Sequence, residues 1–370
     1  MNDKVNQNEL NKVRLRIDGL DKHIQSLISE RAELAFEVGA TKGDLPHAVD
    51  YYRPERAAQV LRAVLERNKG PLSDAEMLRL FREIMSACLA RQGPLKIAYL
   101  GPEGTFTQQA VYQHFGHSVQ ALGHPAIETV FEQVQGAEAD FGVVPIENST
   151  QGIVSHTLDM FLESDLKICG EIEMRIHHNL LTHSDNLAGL ERVYAHQQSF
   201  SQCQTWLRRN LPQVEVIPVA SNAEAARRVR SAPEAAAIAS ESAAEIYAVP
   251  ILFSRIEDNL DNTTRFLVIG RALFSSSGDD KTSLLLAGRE GPGLLHHLLE
   301  PLAQFDINMS RIESRPSQAG KWEYVFFVDV EGHVDDEALR SALEALAKVS
   351  DQTRVLGSYP RAVLPKSEGV

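Results

Sequence analysis

The sequence predicts a multidomain chain: an all-helical unit over residues 1–93, an α/β unit over 95–272, and a small α+β unit of ferredoxin-like order over 281–360. Three observations predict this. Apolar residues recur at helical spacing, with no strand signal, as far as Gly93-Pro94. From Leu95 onward, short apolar runs alternate with helical stretches. After SSSGDD at 275–280, a linker by composition, the elements read strand, helix, strand, strand, helix, strand.

In the helical unit, Leu10, Val13, Ile17, Leu20, Ile24 and Leu27 recur at steps of three and four, and the same steps reach Arg31, Leu34 and Val38. This is a heptad seam on one helix over 9–42, roughly 50 Å long. A seam of that length on one helix pairs with another chain, so a homodimer is expected. A second helix starts near Pro54, with the stripe Ala58, Leu61, Leu65. A third opens with Ser73 and Glu76, the spacing of a capping box, and carries the stripe Met77, Leu80, Phe81, Ile84, Cys88. Polar residues interrupt these stripes: Arg31 in the seam, Glu55 three before Ala58, and Gln92 four after Cys88, with Lys42 near the seam's end. Singly, Glu55 suits a helix N-terminus, Gln92 a frayed end, and Arg31 a snorkelling side chain. Together they point to a bound anion, because an unpaired buried arginine is costly.

In the second unit, KIAYL precedes GPEGTFT and a helix, and FGVVPI precedes ENSTQG and a helix through Phe161. VYAH is followed by a helix from about Ser199, VIPVA by a helix from Asn222; AAAIAS follows, and DNTTRFLVIG closes the unit. GPEGTFT and ENSTQG place backbone N–H groups and hydroxyls at helix starts, which suits anions, although ordinary capping accounts for either alone. The chain shows neither GxGxxG nor the Walker Gly-Lys-Ser/Thr, so no nicotinamide, ATP or other cofactor is expected. His177-His178 and His296-His297 have no evident third ligand, so no metal is expected. The third unit reads TSLLLAG, GLLHHLLEPLAQF, NMSRIESRP, YVFFVDV, DEALRSALEALAKV, RVLGSYP. Gly291 and Gly293 permit close backbone approach at its first strand-to-helix turn.

The 370 residues are 43% hydrophobic and 24% charged, ordinary for a soluble globular chain. The net charge of −13 argues against a nucleic-acid partner. Residues 1–94 hold 15 Lys/Arg against 14 Asp/Glu, so the excess of about −14 lies beyond them. Cys88, Cys169 and Cys203 are widely separated, and no CxxC spacing occurs. The N-terminus has no signal-peptide core, and no apolar run reaches the length of a membrane span. A cytoplasmic protein with no membrane partner is expected.

VRLRID..D..I..LISERAELAFEVGATK, YRPERAAQVL and LFREIMSACLARQ together resemble the helical class of chorismate mutase across residues 9–92. That resemblance implies two entwined chains with two active sites. It makes Arg31 and Lys42 ligands of chorismate carboxylates and the ether oxygen, with Arg14 reaching in from the partner. It has Glu55 and Gln92 hydrogen-bond the substrate and Cys88 line the site. The rearrangement is intramolecular and pericyclic, so positioning and stabilisation of charge on the ether oxygen suffice. Cys88 replaces a frequent Ser, and Pro54 an Arg found in some members.

AYLGPEGTFTQQA, VVPIENSTQG, H..SF.QC at 196–203 and NTTRF at 262–266 occur in order and resemble prephenate dehydratase across roughly 95–272. That resemblance implies two α/β lobes around a cleft, like a periplasmic binding protein. It makes Thr264 the principal catalytic residue, protonating the departing hydroxyl of prephenate, with Arg265 and Phe266 completing its motif. Asn148, Ser149 and Thr150, with Thr105 and Thr107, would line the substrate site, and Glu147 and Gln202 are further polar candidates. Ala195 stands where members often have Ser.

GREGPGLLHHLL and SRIESRP resemble an ACT regulatory domain. Gly291, Gly293, Leu294 and Leu295, with Glu313, Ser314, Arg315 and Pro316, would bind phenylalanine between paired domains. The three resemblances imply a bifunctional enzyme taking chorismate to prephenate and then to phenylpyruvate, under feedback by phenylalanine. Two alternatives stand beside it. One is a dehydratase whose mutase-like unit only dimerises; the other is a non-catalytic amino-acid sensor.

Overall fold

The structure, a computed structural model, describes residues 2–41, 52–288, 291–316 and 324–365. Helix α1 (Asn2–Thr41) begins earlier than its apolar seam. Its apolar seam residues, from Leu10 to Val38, remain 42–61% exposed, so the described residues leave the seam largely open. Helices α2 (Pro54–Arg67) and α3 (Asp74–Ala90) pack through Leu61, Leu65 and Leu78. The Ser73/Glu76 capping box is present. The buried face of α3 departs from the expected stripe: Leu78, Ser86 and Cys88 are buried while Leu80 is exposed. The reason is that α3 serves two neighbours, α2 on one side and the next domain on the other, where the Ser118 amide donates to Ser86 Oγ at 3.2 Å. Among the described residues, no helix is long and apolar enough to cross a membrane.

The α/β part forms two lobes. The first contains β1 (Lys96–Leu100), α4 (Phe106–Phe115), β2 (Gln120–His124), α5 (Ile127–Gln135), β3 (Phe141–Asn148), β4 (Gly152–Ile153), α6 (Ser155–Glu163) and β5 (Lys167–Arg175). The chain then crosses to the second lobe: β6 (Asn179–Leu181), β7 (Arg192–Ala195), α7 (Gln197–Gln202), α8 (Gln204–Asn210), β8 (Glu215–Pro218), α9 (Asn222–Val229), β9 (Ala235–Ala239), α10 (Glu241–Tyr247) and β10 (Ile251–Phe253). It returns as β11 (Thr263–Gly270), which inserts antiparallel between β3 and β5. The first sheet runs β2-β1-β3-β11-β5 with β4 on β3, and the second β10-β6-β9-β7-β8.

The last unit is β12 (Asp280–Ala287), α11 (Leu294–Gln304), β13 (Met309–Pro316), β14 (Tyr324–Glu331), α12 (Glu337–Val349) and β15 (Gln352–Pro360). Its antiparallel sheet runs β13-β14-β12-β15. This sheet shares a core with the first lobe: Leu285, Phe327, Leu356 and Tyr359 pack with Phe161, Ile168, Leu267 and Ile269. Gly357 permits the approach, because a Cβ there would sit 2.1 Å from Ile168 O. The SSSGDD stretch is an ordered turn. The Asp280 carboxylate accepts from the Ser276 and Ser277 hydroxyls and the Ser277 and Gly278 amides at 2.6–3.1 Å.

Tyr52, just before α2, is buried in the first lobe's core against Phe115 and Phe141. Its hydroxyl lies 3.1 Å from His114 Nε2. Burial, then the Arg82 charge, holds His114 down to about 3. The folded imidazole is therefore neutral, while the unfolded one takes a proton near 6.5. The unfolded chain binds more protons between those values, so stability is full above about 6.5 and is lost as pH falls toward 3. Lowering pH from 7 to 5 should cost about 2 kcal/mol through this group. Denaturant titrations at both pH values should show a smaller loss in His114→Gln; an equal loss refutes the assignment.

Candidate active sites

Strand β11 alternates faces. Thr264 and Phe266 point one way, Arg265 and Leu267 the other. Thr264, 9% exposed, meets a set of amides from both lobes. The Thr150 backbone N–H donates to Asn148 Oδ1 at 3.1 Å, and the Thr150 hydroxyl to the same oxygen at 2.6 Å. A backbone N–H only donates, so that atom is the oxygen and Asn148 Nδ2 faces the other way. Nδ2 donates to Thr264 Oγ at 2.8 Å and to Asn262 Oδ1 at 2.9 Å. Asn262 Nδ2 donates to Gln202 Oε1 at 3.0 Å, and Gln202 Nε2 to Thr150 Oγ at 3.2 Å. His178 Nε2 lies 2.6 Å from Gln202 Oε1, so Nε2 carries the proton. His178 Nδ1 is buried with no partner among the described residues. Thr264 Oγ therefore accepts from Asn148 and keeps its own proton free to donate.

The crossing segments between lobes meet at Glu257. It accepts from the His178 amide at 2.8 Å and lies 2.7 Å from His177 Nδ1. A cavity of about 270 Å³ opens between the lobes, lined by Gln109, Arg175, His177, Asn179, Glu241 and Arg255 among others. Asn262, His178, Glu257 and the two arginines were missed as functional candidates; only Asn262 had a local signal, opening the NTTRF motif.

The structure corrects several expected substrate ligands. Phe266 is 1% exposed and belongs to the core. Arg265 faces the third unit, donating to Glu171 at 3.0 Å, Asp329 at 2.7 Å and the Tyr359 hydroxyl at 3.1 Å. Glu147, opposite Arg265 in register, pairs with Arg311 at 3.3 Å. The Thr105 hydroxyl caps α4 and donates to Leu100 O and Pro102 O. Thr107 is buried in the first turn of α4. Ser149 Oγ closes the turn by accepting from the Thr263 amide at 3.0 Å.

In the helical unit, Arg31, Ala35, Arg53, Arg56, Cys88 and Gln92 are among the residues lining a cavity of about 380 Å³. No carboxylate pairs with Arg31 among the described residues. Gln92 Nε2 donates to Ala35 O at 2.7 Å, and Gln92 Oε1 is buried without a partner among the described residues. Glu55 Oε2 is likewise buried and unpartnered, but Glu55 does not line the cavity. Arg14 is exposed and lies about 25 Å along α1 from Arg31, so it does not reach this chain's cavity. Lys42 lies outside the described residues.

In the third unit, Gly291, Pro292, Leu294, His297, Val349 and Asp351 line a cavity of about 290 Å³. Gly293 sits at φ +82°, which a side chain disfavours. Leu295 is 39% exposed and outside that lining. Glu313, Ser314, Arg315 and Pro316 lie on β13, the far edge strand, so one chain does not bring them to the glycine turn. The Arg315 guanidinium is taken by Asp159 at 2.8 and 3.0 Å and by Ser155 at 3.0 Å.

A helical unit, a two-lobed α/β unit with a threonine and amide cluster, and a ferredoxin-like sheet together define a multidomain protein with several candidate sites. Residues 13–93 match chorismate mutase type II, 97–273 prephenate dehydratase, and 282–348 the ACT domain. A bifunctional chorismate mutase/prephenate dehydratase from Pseudomonas aeruginosa is 50% identical over 97% of this chain and 100% of its own. The solved prephenate dehydratase of Arthrobacter aurescens in complex with L-Phe is 34% identical, with TM-score 0.68, over 74% of this chain and 92% of that one. A structure described as a novel type of quorum-quenching acylase is 30% identical, with TM-score 0.67, over 72% and 98%. The chain belongs to the bifunctional chorismate mutase/prephenate dehydratase family.

The amide chain makes a spectroscopic prediction. Burial lowers His178 below its ordinary 6.5, an effect the Gln202 hydrogen bond only partly opposes. Nitrogen NMR of the folded protein at pH 8 should show a neutral His178 protonated on Nε2, and the ring should take up its second proton at lower pH than an ordinary histidine. An Nδ1-protonated ring or an imidazolium refutes the deduced network.

Proposed function

We infer that this protein rearranges chorismate to prephenate in its helical unit and converts prephenate to phenylpyruvate in the cleft, with its ACT unit sensing phenylalanine. The observation that carries the dehydratase reading is Thr264, whose oxygen accepts from Asn148 and whose proton is free. The related acylase structure is a reminder that a shared fold alone does not fix the reaction.

In the cleft, the C–O bond to the departing hydroxyl breaks as Thr264 delivers its proton, and the hydroxyl leaves as water. The electrons of the breaking C–C bond to the ring carboxylate enter the ring, and carbon dioxide leaves. The resulting threonine oxygen is held by Asn148 Nδ2 until solvent returns a proton. Arg175 and Arg255 supply cations between the lobes for substrate carboxylates. In the helical cavity, the Arg31 guanidinium meets a carboxylate. Gln92 keeps one amide hydrogen and its Oε1 for the substrate. The exposed seam of α1 pairs with a second copy, which brings the partner's Arg14 to the cavity and buries Leu10 through Val38. The work is placed in the cytoplasm.

Purified protein given chorismate alone should form phenylpyruvate, and less of it when phenylalanine is added. No phenylpyruvate means that one unit is silent, and favours the dimerisation-module or sensor alternative. Thr264→Ala should lower prephenate turnover about 100-fold or more and leave chorismate rearrangement intact; Arg31→Ala should do the reverse. Equal loss of both activities in either variant contradicts separate sites. Leu27→Glu, placing a charge in the seam, should yield a monomer by sedimentation that turns over prephenate but not chorismate.

A further inference from the structure

We propose that the C-terminal segment beyond β15, Arg361–Leu364, forms a wall of the mutase cavity and contacts its substrate there. This rests on the mutase reading of that cavity. The segment lines the same 380 Å³ space as Arg31, Cys88 and Gln92, although it lies more than 260 positions away in sequence. It is held in place along its length. Arg361 pairs with Asp279 at 3.3 Å and with Glu331. The Ala362 amide donates to Glu171 Oε1 at 3.1 Å. Arg82 Nη2 of α3 donates to Val363 O at 3.1 Å. Val363 packs on the α2–α3 core of Leu61, Leu65 and Leu78.

Two consequences follow from this placement. Val363 and Leu364 give the cavity an apolar side that faces ring carbon and displaces water, which strengthens charge interactions within it. The segment also anchors Arg82 through a neutral carbonyl. No carboxylate pairs with Arg82 among the described residues, although Glu171 and Glu173 line the same cavity, and with Arg31, Arg53, Arg56 and Arg361 it gives the wall an excess of cations. A dicarboxylate in the cavity is the chemistry that answers it. The segment acts by binding and enclosure and takes no part in bond making.

The test uses charge of opposite sign at position 363 in the full chain. Val363→Asp should raise the chorismate KM roughly ten-fold relative to Val363→Lys, through repulsion or attraction of the dicarboxylate. A purely structural role would move both variants the same way. Prephenate kinetics, read in parallel, should match wild type in both. A chain ending at Pro360 should likewise show a raised chorismate KM with unchanged prephenate kinetics. Equal chorismate KM values in the two charge variants, or an unchanged KM in the shortened chain, overturn the proposal. A wild-type chain that leaves chorismate untouched sinks the mutase reading itself, and this proposal with it.

Discussion

The rest of the structure depends on the alternation of one strand. β11 re-enters the first lobe from the second and lies between β3 and β5. Its period of two sends Thr264 to the amides of the cleft, Arg265 to the third unit, and Phe266 to the core. A slip of one position would exchange the cleft hydroxyl for a guanidinium and bury the hydroxyl against another domain. The register is held on both sides: Asn148 opposite Thr264 on β3, and Met174 on β5.

The guanidinium behind the cleft joins two domains. Glu171 comes from β5, and Asp329, Lys281, Ser283 and Tyr359 from the regulatory sheet. Burial alone would lower the Arg265 pKa, but Tyr359, Asp329 and Glu171 outweigh it and keep the group charged. Such a network adds little net stability over apolar packing, yet each member depends on the others because a lone buried charge is costly. It therefore specifies how the regulatory sheet sits on the lobe, while the apolar contacts of Phe327, Leu356 and Leu267 supply most of the attraction.

Much of the architecture was legible. The last unit's six elements read correctly because its strands and helices are long and their periods distinct. In the first lobe, β2, α5, β4 and β5 went unread. QALGH is only partly buried, and KICGEIEMR alternates around a charged Glu171 whose partners lie elsewhere in the chain. Asn148, Thr150, Gln202 and Thr264, singled out by their motifs, meet in one hydrogen-bonded set. Motif membership, however, does not say which way a side chain faces. Glu147, Arg265 and Phe266 were assigned with their neighbours and proved to serve the domain junction and the core.

The sequence by itself determined the three units, the capping box and the helical seam. These depend on local periodicity and on side-chain chemistry carried within short stretches. Only the tertiary structure decided which amide faces Thr264, that His178 ends that chain, and that the C-terminal segment reaches the helical cavity. Hydrogen-bond direction and the walls of a cavity are set by groups distant in sequence, and no local pattern encodes their approach.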